Sequence, residues 1–523
     1  MGARAFAPVP RQLLRPSTVR AAALFLLCPL PALAAPGVDL RRIPLTLEGR
    51  TAHVVTRDLD GDGLAELAAT ARQGTDRAPV RRLALWQVGV DGPTAEPTQL
   101  LTLPDNAVVV DFCDVLPAPG AEVVLLTADG LSVFTHVDAT RYADTAVPLV
   151  EIPGVLGFPD EEDAPFYQVC RAPRGAATAV ELWVPTGRGL AIAVPDGAGV
   201  RVERTLPLRP RAYHTSGDEF RGPRARRDFA LMTQVLMPRL VNVDADGDGD
   251  DDLYQVVEDT LKLFLRRDGR LDPAPVNERS FELRTETDRA RRNAVLDVML
   301  GDLDGDGLPD AVATKLAGGL TSLRTETRYY PGRGVAGFAA DPTSVRRVDG
   351  YATPLALLDV DADGRLELLE PVIRTTPMAV AGMLVRQRVD ADLRVLRAVG
   401  GTLREGRSMT LPFGLDTGAG SVKGGPPLVG QDFNGDGRPD LVNLGSGNEA
   451  VVLLGVAGDP PFADDEAFSA RVPSTSRAEW YVPWPRGPAS FVMAFPDQKA
   501  AAGKLVLFFN ARSRQGRIEP RSP

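Results

Sequence analysis

The chain has 523 residues, a mean hydropathy of −0.08 and a formal charge of −10 from 59 basic and 69 acidic residues. The acidic balance, with no basic stripe, argues against a nucleic-acid-binding role. Past the N-terminus, no stretch approaches the 18 apolar residues of a membrane-spanning helix. Fifty-one Gly and 45 Pro punctuate the chain too often for long helices, so an all-β fold is expected.

In chain order, residues 1–34 read as a secretory signal. Arg4, Arg11, Arg15 and Arg20 precede an apolar run from Ala21 to Leu33, and Ala32-Leu33-Ala34 offers a small-x-small cleavage site. Cleavage there removes four Arg and no acid and takes the formal charge from −10 to −14. The expected product is residues 35–523 as one secreted or otherwise extracytoplasmic domain, monomeric and without a transmembrane segment. Next comes VDLRRIPLTL (Val38 to Leu47), a strand with no acidic loop before it.

The first acidic loop follows, DLDGDGLAE from Asp58 to Glu66, between the strand-like TAHVVTR and ELAAT. Four further loops share its pattern: DADGDGDDD (Asp244 to Asp252), DLDGDGLPD (Asp302 to Asp310), DVDADGRLE (Asp359 to Glu367) and DFNGDGRPD (Asp432 to Asp440). Each has oxygen donors at positions 1, 3, 5 and 9 and Gly at position 6, where a positive φ lets the backbone fold over. Donors at alternating positions of a tight turn converge, and hard oxygen clusters of this kind are what Ca²⁺ takes. Up to five ions are expected. The candidate ligands are Asp58, Asp60, Asp62 and Glu66; Asp244, Asp246, Asp248 and Asp252; Asp302, Asp304, Asp306 and Asp310; Asp359, Asp361, Asp363 and Glu367; and Asp432, Asn434, Asp436 and Asp440. An EF-hand is the weaker reading, because its Glu at position 12 is met in one loop of five and the flanks are strands. Simple Asp-Gly turn chemistry is the other alternative.

Between the first and second loops lie two degenerate copies, from Asp111 to Phe134 and from Gln168 to Ala193, which keep the strand–turn–strand rhythm without the acidic cluster. Cys113 and Cys170 fall at the same point of these two units, as a disulfide between neighbours or as two buried thiols. Residues 203–230 read as a polar insertion. A last degenerate copy spans Ser490 to Phe509. Eight units of about 60 residues, each of several short strands, predict a β-propeller of four-stranded blades. In the Asp302 unit, VLDVML is the expected innermost strand, then DAVATKL, TRYYPGRG and TSVRRVDG. Val38 to Leu47 is expected to complete the last blade and close the ring, which removes free sheet edges.

These residues resemble the FG-GAP or VCBS-type repeat, the blade unit also found in the integrin α-chain propeller. The resemblance rests on DxDxDG, the carboxylate at position 9 and the apolar strand after it. YYPGRGVAGF (Tyr329 to Phe338) and VVLLGVAGDPPF (Val451 to Phe462) resemble that repeat's aromatic/apolar–Gly–Asx–Gly–x–Phe hairpin. It covers most of residues 38–523, with the full motif in five units of eight. It implies Ca²⁺ held on one face by the residues named above, and it offers seven blades as the alternative to eight.

No nucleophile elbow, zinc-protease helix or phosphate-cradling loop occurs. The three His, at 53, 136 and 214, do not form a motif, and carboxylates engaged by Ca²⁺ are not free for acid–base work. The expected function is a non-catalytic adhesion or interaction scaffold for an extracellular protein or glycan. The alternative is a polysaccharide-degrading, lyase-like enzyme that uses the basic cluster Arg221, Arg224, Arg226 and Arg227.

Overall fold

The computed structural model describes residues 38–510. Left aside are 61–64, 76–77, 156–167, 175–179, 209–210, 217–230, 289–293, 415–426, 446–448, 474–478, 482–488, 496–502 and a few single positions. The signal-like residues 1–34 and the Arg221 to Arg227 cluster lie outside the described residues.

Eight antiparallel sheets of at least four strands follow one another along the chain. Blade 1 is formed by Arg50–Arg57, Glu66–Thr75, Ala78–Trp86 and Gln99–Thr102. Blade 5 uses Ala294–Gly301, Asp310–Ala317, Arg324–Tyr330 and Ser344–Asp349, in the order expected for the Asp302 unit. Blade 6 carries a fifth strand, Met409–Gly414, paired with the first half of Arg388–Val399. The order within each sheet follows the chain, so each blade is a meander.

The exception is the blade that closes the ring. Leu40–Thr46 pairs with Lys504–Asn510, the third strand of blade 8, in a seven-residue antiparallel register from Leu40↔Asn510 to Thr46↔Lys504. The N-terminal strand thus supplies the outer strand of the last blade. Packing tells the same story. Eight apolar clusters occur, each between two successive blades, and the cluster of Leu45, Leu505 and Leu507 with Val54, Leu67 and Trp86 joins blade 8 to blade 1. Eight interfaces in a closed sequence define eight blades and exclude seven.

Inner-sheet positions are apolar on both faces, as in Glu122–Thr127, where every residue is buried. A blade sandwiched between two others must be hydrophobic on both sides, which explains continuous rather than alternating apolar runs. The polar insertion expected over 203–230 is corrected in part. Residues up to Leu206 belong to the outer strand of blade 3, Gly199–Leu206, and Arg211–Ser216 pairs with Leu231–Leu236 as a separate hairpin. The α-helix Pro377–Arg386 is inserted between the second and third strands of blade 6.

Cys113, at the end of the inner strand of blade 2, is disulfide-bonded to Cys170, which opens the inner strand of blade 3; the Cα atoms are 5.8 Å apart. This decides between the disulfide and the pair of thiols. The bond closes a loop of sequence separation 57, which corresponds to about 4 kcal/mol in a chain-entropy treatment. Replacing both cysteines by Ala is expected to lower the melting temperature and to abolish its sensitivity to reductant. Equal melting of the wild type with and without reductant would show the bond to be energetically silent.

Candidate metal centres

The five acidic loops all connect an inner strand to the second strand, so antiparallel geometry places them on one end of the propeller. Their shape comes from the carboxylates themselves. In blade 5, Asp302 accepts the N–H groups of Gly305 (2.7 Å) and Gly307 (2.9 Å). Asp304 accepts from Asp306 (3.2 Å), and Asp306 from Leu308 (2.8 Å). Blade 4 repeats the pattern with Asp244, Asp246 and Asp248. In blade 7, Asn434 Oδ1 takes the position-3 role by accepting from Asp436 (3.0 Å). Position 6 has positive φ at Gly249, Gly307, Gly364 and Gly437, from +85° to +91°.

Such turns gather oxygens. Asp58, Asp60 and Glu66 have ligand atoms within 4.8 Å of one another, as do Asp244, Asp246 and Asp248; Asp302, Asp304 and Asp306; and Asp359, Asp361 and Glu367. Asp62 lies outside the described residues. Burial and the neighbouring carboxylate push Asp246 and Asp304 above the usual carboxylate range. Hard, anionic oxygens at this spacing fit a divalent cation. Blade 6 differs, because Arg397 bonds Asp361 (3.0 Å) and approaches Glu367 (3.6 Å), so a guanidinium already neutralises part of that group.

Position 9 does something the sequence reading did not foresee. Its carboxylate reaches back to the N–H of position 2 in every loop: Glu66 to Leu59, Asp252 to Ala245, Asp310 to Leu303, Glu367 to Val360 and Asp440 to Phe433, all at 2.7–3.0 Å. In blades 4, 5 and 7 the second oxygen accepts an N–H from the end of the third strand or just past it, at Arg266 (2.6 Å), Gly332 (2.7 Å) and Gly455 (2.7 Å). Asp252 and Asp310 thus stand as buried staples beside the convergent groups of their loops. Burial pushes Asp252 up to about 6, and Glu367 and Asp440 up to about 7.

One degenerate unit keeps this staple. Glu122 accepts from Val115 (2.9 Å), which makes Asp114 to Glu122 a loop with positions 1 and 9 alone. The spacing was present in the sequence. In blade 3, Glu181 holds the same place and meets a protein cation instead. Arg266 of blade 4, 1% exposed, donates to both of its oxygens (2.7 and 3.1 Å). In blade 8, Ser490 accepts the Asn510 N–H (2.9 Å).

His53 and His136 are half-buried, on different strands, and His136 hydrogen-bonds the carbonyls of Ala121 and Asp138. His214 lies in the hairpin strand Arg211–Ser216. On the opposite end of the propeller, a cleft of about 900 Å³ opens between blades 5 and 6. Its charged side chains are tied to one another, Lys315 to Asp288 (3.2 Å) and Arg347 to Glu326 (2.8 Å).

Fold and site define an eight-bladed, all-β propeller with acidic, cation-compatible loops on one end. No protein-family model matches the chain, and no curated protein matches it. Among solved structures it is similar to an Agrocybe aegerita lectin described for specific recognition of non-reducing terminal N-acetylglucosamine (12% identity, TM-score 0.35, covering 83% of this chain and 91% of that one). It is also similar to the Dos1 propeller (8% identity, TM-score 0.32, covering 90% and 95%).

Staple and cluster separate by mutation. Asp310→Ala strands two buried backbone N–H groups and is expected to cost about 2–4 kcal/mol even in chelator. Asp304→Asn relieves repulsion and should leave the chelated protein as stable as before, or more so. Equal losses in chelator for both variants would refute the division. Arg266→Ala leaves Glu181 buried without its cation, at an expected cost of about 3–5 kcal/mol. Thermal melting that shifts as little as it does for an exposed Arg→Ala control would contradict that role.

Proposed function

We propose that the protein is an extracytoplasmic calcium-binding propeller of the FG-GAP/VCBS repeat type, acting as a non-catalytic scaffold for a protein or glycan partner. The observation that carries this reading is the set of four three-carboxylate groups, each converging within 4.8 Å, at equivalent loops of blades 1, 4, 5 and 6. The ligands are proposed as positions 1, 3, 5 and 9 of each loop, with blade 7 using Asn434. The ion would neutralise mutually repelling carboxylates and hold the loops in one shape before a partner arrives. The Cys113–Cys170 disulfide supports an oxidising compartment, in keeping with the signal-like N-terminus. The tethered charges of the cleft between blades 5 and 6 offer a rigid polar surface at the other end.

Calcium is expected to raise the melting temperature relative to excess EGTA. Each site contributes about 2.7 kcal/mol when calcium exceeds its Kd a hundredfold. An unchanged melting curve, with no bound ions counted by native mass spectrometry, would overturn the proposal. Release of unsaturated products from uronate polymers would overturn its non-catalytic part.

The pH dependence has a definite sign. Asp252, Glu367 and Asp440 have folded pKa values of about 6, 7 and 7, above ordinary carboxylate values, so the folded state holds more protons than the unfolded between about pH 4 and 7. Their stabilising contribution is present below pH 4 and lost as pH rises through 6–7. Calcium favours the ionised form, so its effect on melting temperature should be larger at pH 7.5 than at pH 5.5. A smaller effect at the higher pH would count against carboxylate ligation at these loops.

A further inference from the structure

A second cleft, of about 550 Å³, opens between the edge strand of blade 6, Met409–Gly414, and the outer half of blade 7. Glu449 enters it from the third strand of blade 7, and Asp464 and Glu466 from the outer strand. Period-2 alternation puts Val451 and Leu453 on the same face as Glu449, and both line the cleft with Pro460. Among the described residues, none of the three carboxylates forms an ion pair or hydrogen bond. Arg471, which stands opposite Glu449 in the ladder, forms no ion pair with it.

The base of the cleft supplies an independent sign of a ligand. Asn443 is 4% exposed and lines the cleft. Its Nδ2 donates to the Pro412 carbonyl (3.1 Å), while its Oδ1 is buried with no donor. A buried acceptor without a partner carries an uncompensated desolvation cost, so this position calls for an N–H or O–H donor. A compact metal ion is the wrong donor chemistry here. Glu449, Asp464 and Glu466 are not among the carboxylate groups that converge within 4.8 Å. Charge spread along two strands, beside an apolar wall, matches a cation on a methylene stem, and an ammonium brings three donors.

We propose that this cleft binds a primary alkylammonium, the chemistry of a free polyamine or a lysine side chain, with the carboxylates and Asn443 Oδ1 as acceptors and Val451, Leu453 and Pro460 against the methylenes. The proposal does not depend on calcium in the loops.

Calorimetry with spermidine, in excess calcium so that the acidic loops are saturated, tests it. One-to-one binding is expected, weakened about tenfold by combined Glu449→Gln, Asp464→Asn and Glu466→Gln, since partly exposed charge pairs contribute about 0.2–1 kcal/mol each. Asn443→Leu should weaken binding without altering its salt dependence. Neutralising Asp91, Glu96 and Asp105 on blade 1 should leave it unchanged. A tetralysine peptide in a parallel arm distinguishes the sources, the tighter of the two naming the natural one. Three results would overturn the assignment: no binding of either probe, equal weakening by the blade 1 control set, or stoichiometric displacement of spermidine by magnesium. Melting curves of the variants report folding separately.

Discussion

Everything on the loop-bearing end depends on a carboxylate buried where the second strand of a blade begins. Burial there disfavours charge, as the raised values at Asp252, Glu367 and Asp440 show. The group is tolerated because backbone N–H groups point at it. One comes from the preceding loop and, in blades 4, 5 and 7, another comes from the end of the third strand or just past it. A single side chain thereby joins three consecutive segments of the meander. In blades 4 and 5 the convergent oxygens at positions 1, 3 and 5 are then presented by a loop whose ends are already held.

Much of this was legible from the chain, for physical reasons. Propeller blades are built from neighbours in sequence, so period, strand order and loop position are local properties, and the blade 5 strands follow the order read from the repeat unit, the third beginning three residues earlier, at Arg324. Ring closure was also readable, because Val38 to Leu47 was a strand with no unit of its own. The remainder was long-range. Arg266 and Glu181 are 85 residues apart, and nothing near either names the other. The Asp114 to Glu122 spacing was overlooked because the two acids between its ends are missing, although positions 1 and 9 alone suffice for the staple. The number of blades, seven or eight, was settled only by tracing apolar clusters round the ring. The Asn443 cleft depends on the fifth strand of blade 6, whose pairing no local pattern announces.

The staple also clarifies why a position-9 acid is a poor marker of an ion by itself. Glu122 makes the staple bond with no acidic cluster beside it, and Glu181 holds the position with Arg266 as its partner, so an acid at this position does not require the cluster. Where all the acids are present, both functions share one loop. Blade 6 stands between the two cases, since Arg397 sits against Asp361 and Glu367 while the loop keeps its turns.

Blades without the full loop are each fastened another way. Blades 2 and 3 are consecutive and lack the acidic cluster, and they are the pair joined by Cys113–Cys170. Blade 3 is further tied to blade 4 by the guanidinium of Arg266 on Glu181, a fixed positive charge at the position where blades 1, 4, 5 and 6 gather carboxylate oxygens. Blade 8 has Ser490 in place of the acid, and there the chain's own N-terminal strand completes the sheet while Phe491 and Phe508 stack at 4.5 Å between ring centroids. A ring is only as strong as its weakest interface, since opening one exposes two apolar sheet faces at once. Covalent bond, buried ion pair and the pairing of the N-terminal strand thus fall at blades that lack the full acidic loop, so the closure of the ring there rests on the chain's own groups.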